Sequence, residues 1–123
     1  MKIIDAISRV DALYFNTFSV PEKIRWLSKL DWMIKRNILD THEGSETEFN
    51  GYTPETDLQT ELLAPVPYDE MYIPWLQAQM ELALKEIDSY NASIMIFNTE
   101  YEAFEGYYNR NHMPKQRGKT FLF

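Results

Sequence analysis

An apolar stripe within residues 67–109 constrains the fold more than any other feature of the sequence. From Tyr72 onward, apolar side chains recur in steps of three or four residues, which places them on one side of an α-helix. The first half of the stripe is aliphatic and the second half is nearly all aromatic. Its members are Tyr72, Leu76, Met80, Ala83, Ile87, Tyr90, Ile94, Phe97, Tyr101, Phe104 and Tyr108. A stripe of this length needs a partner surface, supplied either by the rest of the chain or by another subunit.

The stripe can belong to one helix or to two. An unbroken helix over residues 68–109 would span roughly 60 Å, which is long for a chain of 123 residues. Asp88, Ser89, Asn91 and Ser93 are poor helix formers, and Asp88 or Ser89 could cap a second helix. We therefore predict helices over about 68–87 and 89–110 with a tight break between them. The alternative is one long, curved helix, because the stripe keeps its phase across the polar cluster.

Two further helices are predicted in the N-terminal part of the chain, over about residues 2–14 and 21–39. The second has a strong start signal, in which Ser19 is the N-cap, Glu22 is its capping-box partner and Pro21 occupies the first turn. The expected fold class is thus mainly all-α, a single four-helix domain over residues 1–113. Residues 114–123 are expected to form a flexible basic tail.

Residues 40–66, between helices 2 and 3, lack helical periodicity and are rich in glycine, proline and acidic residues. Asn50 and Gly51 stand between Phe49 and Tyr52, which is the sequence expected for a two-residue β-hairpin turn. We predict a short hairpin over about residues 47–53, at the tip of a long loop that projects as a functional arm. The alternative is a loop folded back over the helices.

Charge is distributed unevenly along the chain, whose formal net charge is −7. Residues 1–36 carry seven Lys/Arg against four Asp/Glu, residues 37–109 carry one Lys against fifteen acids, and residues 110–123 carry four basic residues and no acid. Such polarity can steer association with an oppositely charged surface, including another copy packed head to tail. The simpler interpretation is a soluble acidic surface with one basic end.

Residues that could support catalysis are few, and we expect no enzymatic activity and no cofactor. The chain has no cysteine and no glycine-rich phosphate loop. His42 lies near Asp40 and Glu43, but the spacing matches no recognised metal motif, so a solvated acidic loop is the preferred interpretation and no metal site is predicted. No stretch approaches eighteen apolar residues, so no membrane span is expected.

The aromatic half of the stripe is expected to be a protein interface rather than a surface for base stacking. Nucleic-acid binding requires interleaved cations, and residues 86–109 contain no Lys or Arg. We predict that the aliphatic half holds the monomer together and the aromatic half meets another subunit. The predicted interface residues are Phe49, Tyr52, Tyr90, Phe97, Tyr101, Phe104 and Tyr108.

Residues 61–72 (ELLAPVPYDEMY), together with the later aromatic positions, resemble small proteins from the morphogenesis regions of tailed bacteriophages and prophages. The later positions are Tyr90-Asn91-Ala92-Ser93, Phe97-Asn98, Tyr101, Phe104, Tyr107-Tyr108-Asn109-Arg110 and His112-Met113-Pro114. The capped two-helix start, followed by a loop and further helices, is similar to phage head–tail connector (adaptor) proteins.

This resemblance implies a non-enzymatic structural protein of the virion neck, present in the host cytoplasm during assembly. It implies a ring of copies on the portal, contacts with other neck and tail proteins, and at most non-specific contact with passing DNA. The alternative is an acidic intracellular binding module or regulator, of the protein-interaction or DNA-mimic type, which the strongly acidic central segment favours.

Overall fold

The computed structural model of the chain describes residues 1–42 and 48–115. The predicted all-α class is confirmed, since the described residues form four α-helices and no β-strand. A π-helical turn, Lys35–Leu39, extends the second helix, and a 3-10 turn, Tyr68–Met71, precedes the third. The helices are α1 (Ile3–Leu13), α2 (Val20–Ile34), α3 (Tyr72–Ala83) and α4 (Ile87–Asn111).

The start of α2 follows from local chemistry. The Ser19 hydroxyl accepts a hydrogen bond from the Glu22 amide over 3.3 Å, and Pro21 sits in the first turn, where no intrahelical donor is required. One apolar face of α2 then packs against α1 and α3. The fully buried side chains of this packing include Ile3, Val10, Ile24, Leu27, Leu30, Ile34, Leu76 and Met80.

Two ion pairs fix α1 against its neighbours. Lys23, on α2, is only 4% exposed and its ammonium group lies 2.9 Å from Asp11 Oδ1. Arg9 donates two hydrogen bonds of 2.7 Å to the carboxylate of Glu70 in the 3-10 turn. This two-point geometry orients α1 along the start of α3.

The chain reverses between α3 and α4, so residues 72–111 form two helices. The Glu86 amide donates to the Glu81 carbonyl over 2.8 Å, and the Lys85 amide donates to the Leu82 carbonyl over 3.0 Å. Lys85 has a φ of 61°. These three features define a Schellman motif, the usual end of a helix whose next residue is left-handed. The break precedes Asp88, and no side chain caps the start of α4.

Because α3 and α4 form an antiparallel hairpin, side chains of α3 and of the 3-10 turn pack against α4. The rings of Trp75 and Phe97 lie 5.0 Å apart, and those of Tyr68 and Tyr107 are also 5.0 Å apart. Nearer the turn, the Ser93 hydroxyl donates to the buried Glu81 carboxylate over 2.7 Å. The aromatic half of the stripe is therefore covered within the chain, whereas Ala83 and Ile87, at the turn, are exposed.

This packing corrects the predicted interface at three positions. Phe97, Phe104 and Tyr108 are 3%, 0% and 8% exposed within the single chain. The prediction that they meet another subunit is wrong, because Trp75 packs against Phe97, Tyr68 against Phe104 and His42 against Tyr108. Tyr90 and Tyr101 are half-buried on the same helix, and their role in an interface stays a prediction.

The predicted β-hairpin is also wrong for the part of it that the structure describes, residues 48–53. Gly51 has a φ of 85°, but Asn50 does not share a positive φ, which a two-residue turn of this sequence requires. The segment follows α2 instead of projecting as an arm. Further along, it runs beside the N-terminus, where the Ile3 amide donates to the Thr60 carbonyl over 3.0 Å and Leu62 and Ala64 are buried.

The end of α4 lies close to the end of the π-helical turn. His42 is buried, and its ring contacts the Ile38 carbonyl and Asn109 Oδ1 at 2.6 and 2.5 Å. The Lys115 amide donates to the Thr41 carbonyl over 2.8 Å. The predicted tail is thus anchored at its first residues, while Thr47 of the hairpin prediction and residues 116–123 lie outside the described residues.

Candidate interaction surfaces

A groove of about 570 Å³ runs between the outer face of α2 and the segment that follows Gly51. Two hydrogen bonds of Tyr52 hold the segment in place, one from its amide to Ser28 Oγ over 3.0 Å and one from its hydroxyl to Asp31 over 2.5 Å. A smaller depression of about 420 Å³ continues the groove toward the end of α2. Lys29 and Trp32 line both, and the rest of the combined lining includes Glu22, Arg25, Ser28, Met33, Arg36, Tyr52 and Pro54.

Trp32 is the central side chain of this groove and is 37% exposed. The Phe49 ring packs edge-on against it at 5.0 Å, and the Arg36 guanidinium lies 5.6 Å from its ring centre. Both contacts restrict the indole, so a partially exposed aromatic ring is presented in one orientation. Rigid aromatic side chains of this kind are typical of the centre of protein interfaces.

The groove is basic. Lys29 and Arg36 are exposed, and neither forms an ion pair with a carboxylate in the part of the chain that the structure describes. Arg25 is exposed as well, but it pairs with Glu22 in the preceding turn of the helix. The groove thus combines two exposed cations with an aromatic floor, a surface suited to an acidic partner that also carries apolar side chains.

Beneath the groove, Asp31 forms the centre of a buried polar network. Its carboxylate accepts hydrogen bonds from the hydroxyls of Tyr52 and Tyr72 and from the Leu63 amide, over 2.5, 2.5 and 3.1 Å. The Tyr72 hydroxyl in turn accepts from the Ala64 amide over 2.9 Å. Burial raises the pKa of Asp31 from 3.8 to about 6, although the three donors favour the carboxylate. The network fixes the segment 52–64 to α2 and α3.

The outward face of α4 is a second surface without a partner in the chain. Met95 and Ile96 are 69% and 57% exposed, and Ala92, Thr99 and Ala103 continue the exposed face at helical spacing. Asp88 and Glu102 are exposed and lie at the same helical spacing before Ala92 and after Thr99. This face lies opposite the core-facing stripe, and we call it the α4 outer face. The middle of this face is apolar, and an acid lies at each of its two ends along α4.

The groove and the α4 outer face lie on opposite sides of α3. The Trp75 indole on α3 donates to the Trp26 carbonyl on α2 over 2.8 Å, and the same ring packs against Phe97 on α4. Because α3 lies between α2 and α4, the outer surfaces of these two helices point in different directions. The molecule therefore offers two distinct surfaces of opposite charge character.

Of the predicted interface residues, Phe49 and Tyr52 are the two that lie at the groove, where both are half-buried. The sequence interpretation missed Trp32 and the α4 outer face, because it followed only the stronger aromatic stripe. The signal for the outer face was present in the same i, i+3, i+4 spacing of Ala92, Met95, Ile96 and Thr99.

The residues considered for metal binding do not form a site in the described part of the chain. His42 is buried against Ile38 and Asn109, and Glu43 lies outside the described residues. No group of three or more metal-ligating side chains occurs within residues 1–42 and 48–115. Over the same residues, no helix combines the length and the apolar character that a membrane span requires.

Comparisons of the chain with models of known protein families, with curated proteins and with solved structures find no match.

Proposed function

We propose that the protein is a non-catalytic structural component of a phage virion neck, a head–tail connector or adaptor that oligomerises on the portal. The observation that carries this proposal is the pair of surfaces on opposite sides of α3. A protein that links others in series needs two such surfaces, each free of the chain's own core. The basic groove and the α4 outer face meet this requirement.

The rigid attachment of the segment that shapes the groove supports the same role. The groove is shaped by a segment whose amide and hydroxyl groups bond to α2 and to the buried Asp31. A surface that is fixed before binding loses little conformational freedom on association. The pattern of aromatic residues and helix boundaries that resembles phage connectors adds to this support, as does the separation of acidic and basic residues along the chain.

The test is assembly. Size-exclusion chromatography with light scattering, followed by electron microscopy, is expected to reveal rings of the protein alone at high concentration or on purified portal complexes. A species that stays at 14.6 kDa at every concentration, and that does not bind the portal, contradicts the connector proposal.

The alternative function is an acidic binding module for a basic protein. Its specific support is the segment after residue 47, where Glu48, Glu55 and Asp57 are all exposed. Under this alternative, the triple substitution of these residues by Gln, Gln and Asn abolishes capture of a basic DNA-binding protein. The same triple substitution leaves the groove and the α4 outer face intact, so ring assembly is expected to survive it if the connector proposal holds.

A further inference from the structure

We propose that copies of this chain associate head to tail, with the α4 outer face of one copy packed into the basic groove on α2 of the next. The inference rests on the proposed assembly function and names the two surfaces that carry it. It commits to a second copy as the occupant because the chain itself contains both complementary surfaces.

Charge complementarity is the first argument. The groove carries Lys29 and Arg36, while residues 86–109 contain five acids and no Lys or Arg. Asp88 and Glu102 flank the α4 outer face and are about 21 Å apart along the helix axis, given a rise of 1.5 Å per residue. Lys29 and Arg36 lie about 10 Å apart along α2 and its π-helical extension by the same rise, so each side chain has to extend outward along the helix to reach its acid. Long basic side chains can bridge the remaining difference.

Apolar complementarity is the second argument. Met95 and Ile96 stand between the two acids on α4, and Trp32 stands between the basic residues on α2. A methionine fits against aromatic rings readily, since its side chain is flexible and its sulfur interacts favourably with them. Placing these two side chains over Trp32 would remove the most exposed apolar groups of α4 from water.

Geometry supplies the third argument. The two surfaces belong to different sides of α3, so one copy cannot satisfy itself, and a two-fold dimer through either surface alone would place like charges against each other. A contact between two different patches is heterologous and repeats from copy to copy. The series of copies closes into a ring when a whole number of copies completes one full turn. Otherwise it continues as a filament.

The test uses two variants of the full chain, each with one damaged surface. Lys29→Glu combined with Arg36→Glu reverses the groove, and Met95→Asp damages the α4 outer face. These two variants, the control and the compensating variant described in the next two paragraphs all replace exposed side chains. Unchanged circular dichroism and thermal unfolding serve as the check that each of them folds. Each variant alone is expected to be monomeric under conditions in which the unaltered chain assembles.

Mixing the two variants separates this contact from others. Each retains one intact surface, so an equimolar mixture is expected to form a dimer of twice 14.6 kDa and nothing larger. A mixture that stays monomeric, or a groove variant that still dimerises by itself, overturns the head-to-tail contact. Glu55→Lys is the matched control for charge reversal away from both surfaces and is expected to assemble as the unaltered chain does.

A compensating variant completes the test. Asp88→Lys and Glu102→Lys, combined with the reversed groove in one chain, are expected to restore assembly because both surfaces have exchanged sign. Assembly that is unaffected by any of these substitutions overturns the contact but leaves the connector function standing. Absence of assembly by the unaltered chain, with and without portal complexes, overturns both proposals.

Discussion

The hydroxyl of Tyr72 donates a hydrogen bond of 2.5 Å to Asp31 Oδ1, and both side chains are fully buried. This contact joins α3 to α2, and through the second carboxylate oxygen it also reaches Tyr52 and the Leu63 amide. Burial raises the pKa of Tyr72 well above its ordinary value, and the adjacent carboxylate adds to this effect. The shape of the groove therefore depends on a buried group that can gain or lose a proton.

Stability is expected to fall as the pH rises through the range in which Asp31 ionises. Because its pKa is about 6 in the folded protein and 3.8 in the reference state, the folded protein binds more protons than the unfolded chain between these values. The contribution of Asp31 is thus fully present below pH 3.8 and is lost by about pH 6. The linked change in the free energy of unfolding is about 3 kcal/mol.

Urea denaturation of the unaltered protein and of Asp31→Asn at pH 4 and pH 7 measures this effect. Other carboxylates contribute equally to both proteins, so the difference between the two isolates Asp31. Relative to the variant, the unaltered protein is expected to be more stable at pH 4 than at pH 7. If the free energies of unfolding of the two proteins change in parallel with pH, Asp31 does not titrate as described. Glu55→Gln is the control for the removal of an exposed carboxylate.

The turn between α3 and α4 is expected to become more stable when Lys85 is replaced by glycine. A left-handed residue costs an L-amino acid about 1–2 kcal/mol, and glycine avoids most of this cost while losing some entropy on folding. Lys85→Gly should raise the free energy of unfolding by about 0.5–1 kcal/mol in urea denaturation. Lys85→Ala keeps the left-handed strain and is the control; an equal gain from both variants contradicts this explanation.

The start of α2 and the end of α3 illustrate what local sequence patterns could and could not predict. Ser19 caps the helix and Pro21 occupies its first turn, so the sequence alone located the start of α2. The Glu22 carboxylate pairs with Arg25 instead of completing the predicted capping box. The end of α3 has neither glycine nor proline, and its left-handed residue is a lysine. Pairing along the whole α3–α4 hairpin compensates for the strain at Lys85, and this compensation is a tertiary effect that no local signal records.

Tertiary packing also explains two further departures from the sequence predictions, namely the absence of the predicted hairpin from the described residues and the burial of part of the aromatic half of the stripe. Phe49 and Tyr52 flank an Asn-Gly pair that favours a hairpin locally, but the Phe49 ring packs between Trp32 and Tyr52, and the Tyr52 amide bonds to Ser28 on α2. The aromatic half of the stripe was correctly identified as one helix face, while its partner surface could not be identified. Periodicity reveals which residues need cover, and it does not reveal which element provides the cover.

Replacing Phe97 by alanine is expected to destabilise the monomer, since its ring is buried against Trp75 and Tyr101. Removal of a buried phenylalanine ring costs about 3–5 kcal/mol. Met95→Ala, two residues away on the opposite face, should change the free energy of unfolding by less than about 0.5 kcal/mol. Urea denaturation compares the two, and light scattering then measures the self-association of Met95→Ala, which should be weaker than that of the unaltered chain.

The opposite result would restore the original division of the stripe. If Phe97→Ala unfolds at the same urea concentration as the unaltered protein but no longer assembles, then the aromatic half faces another subunit and the α3–α4 hairpin opens in the assembled form.

Two glycine-to-alanine substitutions are expected to have opposite effects. At Gly51, whose φ is 85°, an added Cβ would lie 2.9 Å from Trp32 Nε1 and 3.3 Å from Ser28 Oγ. Strain and overpacking together should cost about 1–3 kcal/mol and displace the indole that forms the centre of the groove. At Gly106, within α4, an added Cβ meets only Arg110 at 3.4 Å, so Gly106→Ala should stabilise the helix by about 0.5–1 kcal/mol.

Tryptophan fluorescence distinguishes a local change at the groove from a global loss of stability. Trp26 and Trp75 are buried, whereas Trp32 is partly exposed, so displacement of Trp32 should increase quenching by acrylamide in folded Gly51→Ala. Gly106→Ala should leave quenching unchanged while raising the midpoint of urea denaturation. Since Trp32 lines the groove and an added Cβ at Gly51 would displace it, Gly51→Ala should also weaken head-to-tail association. Association that is unaffected while quenching increases would mean that the Trp32 side of the groove does not take part in the contact between copies.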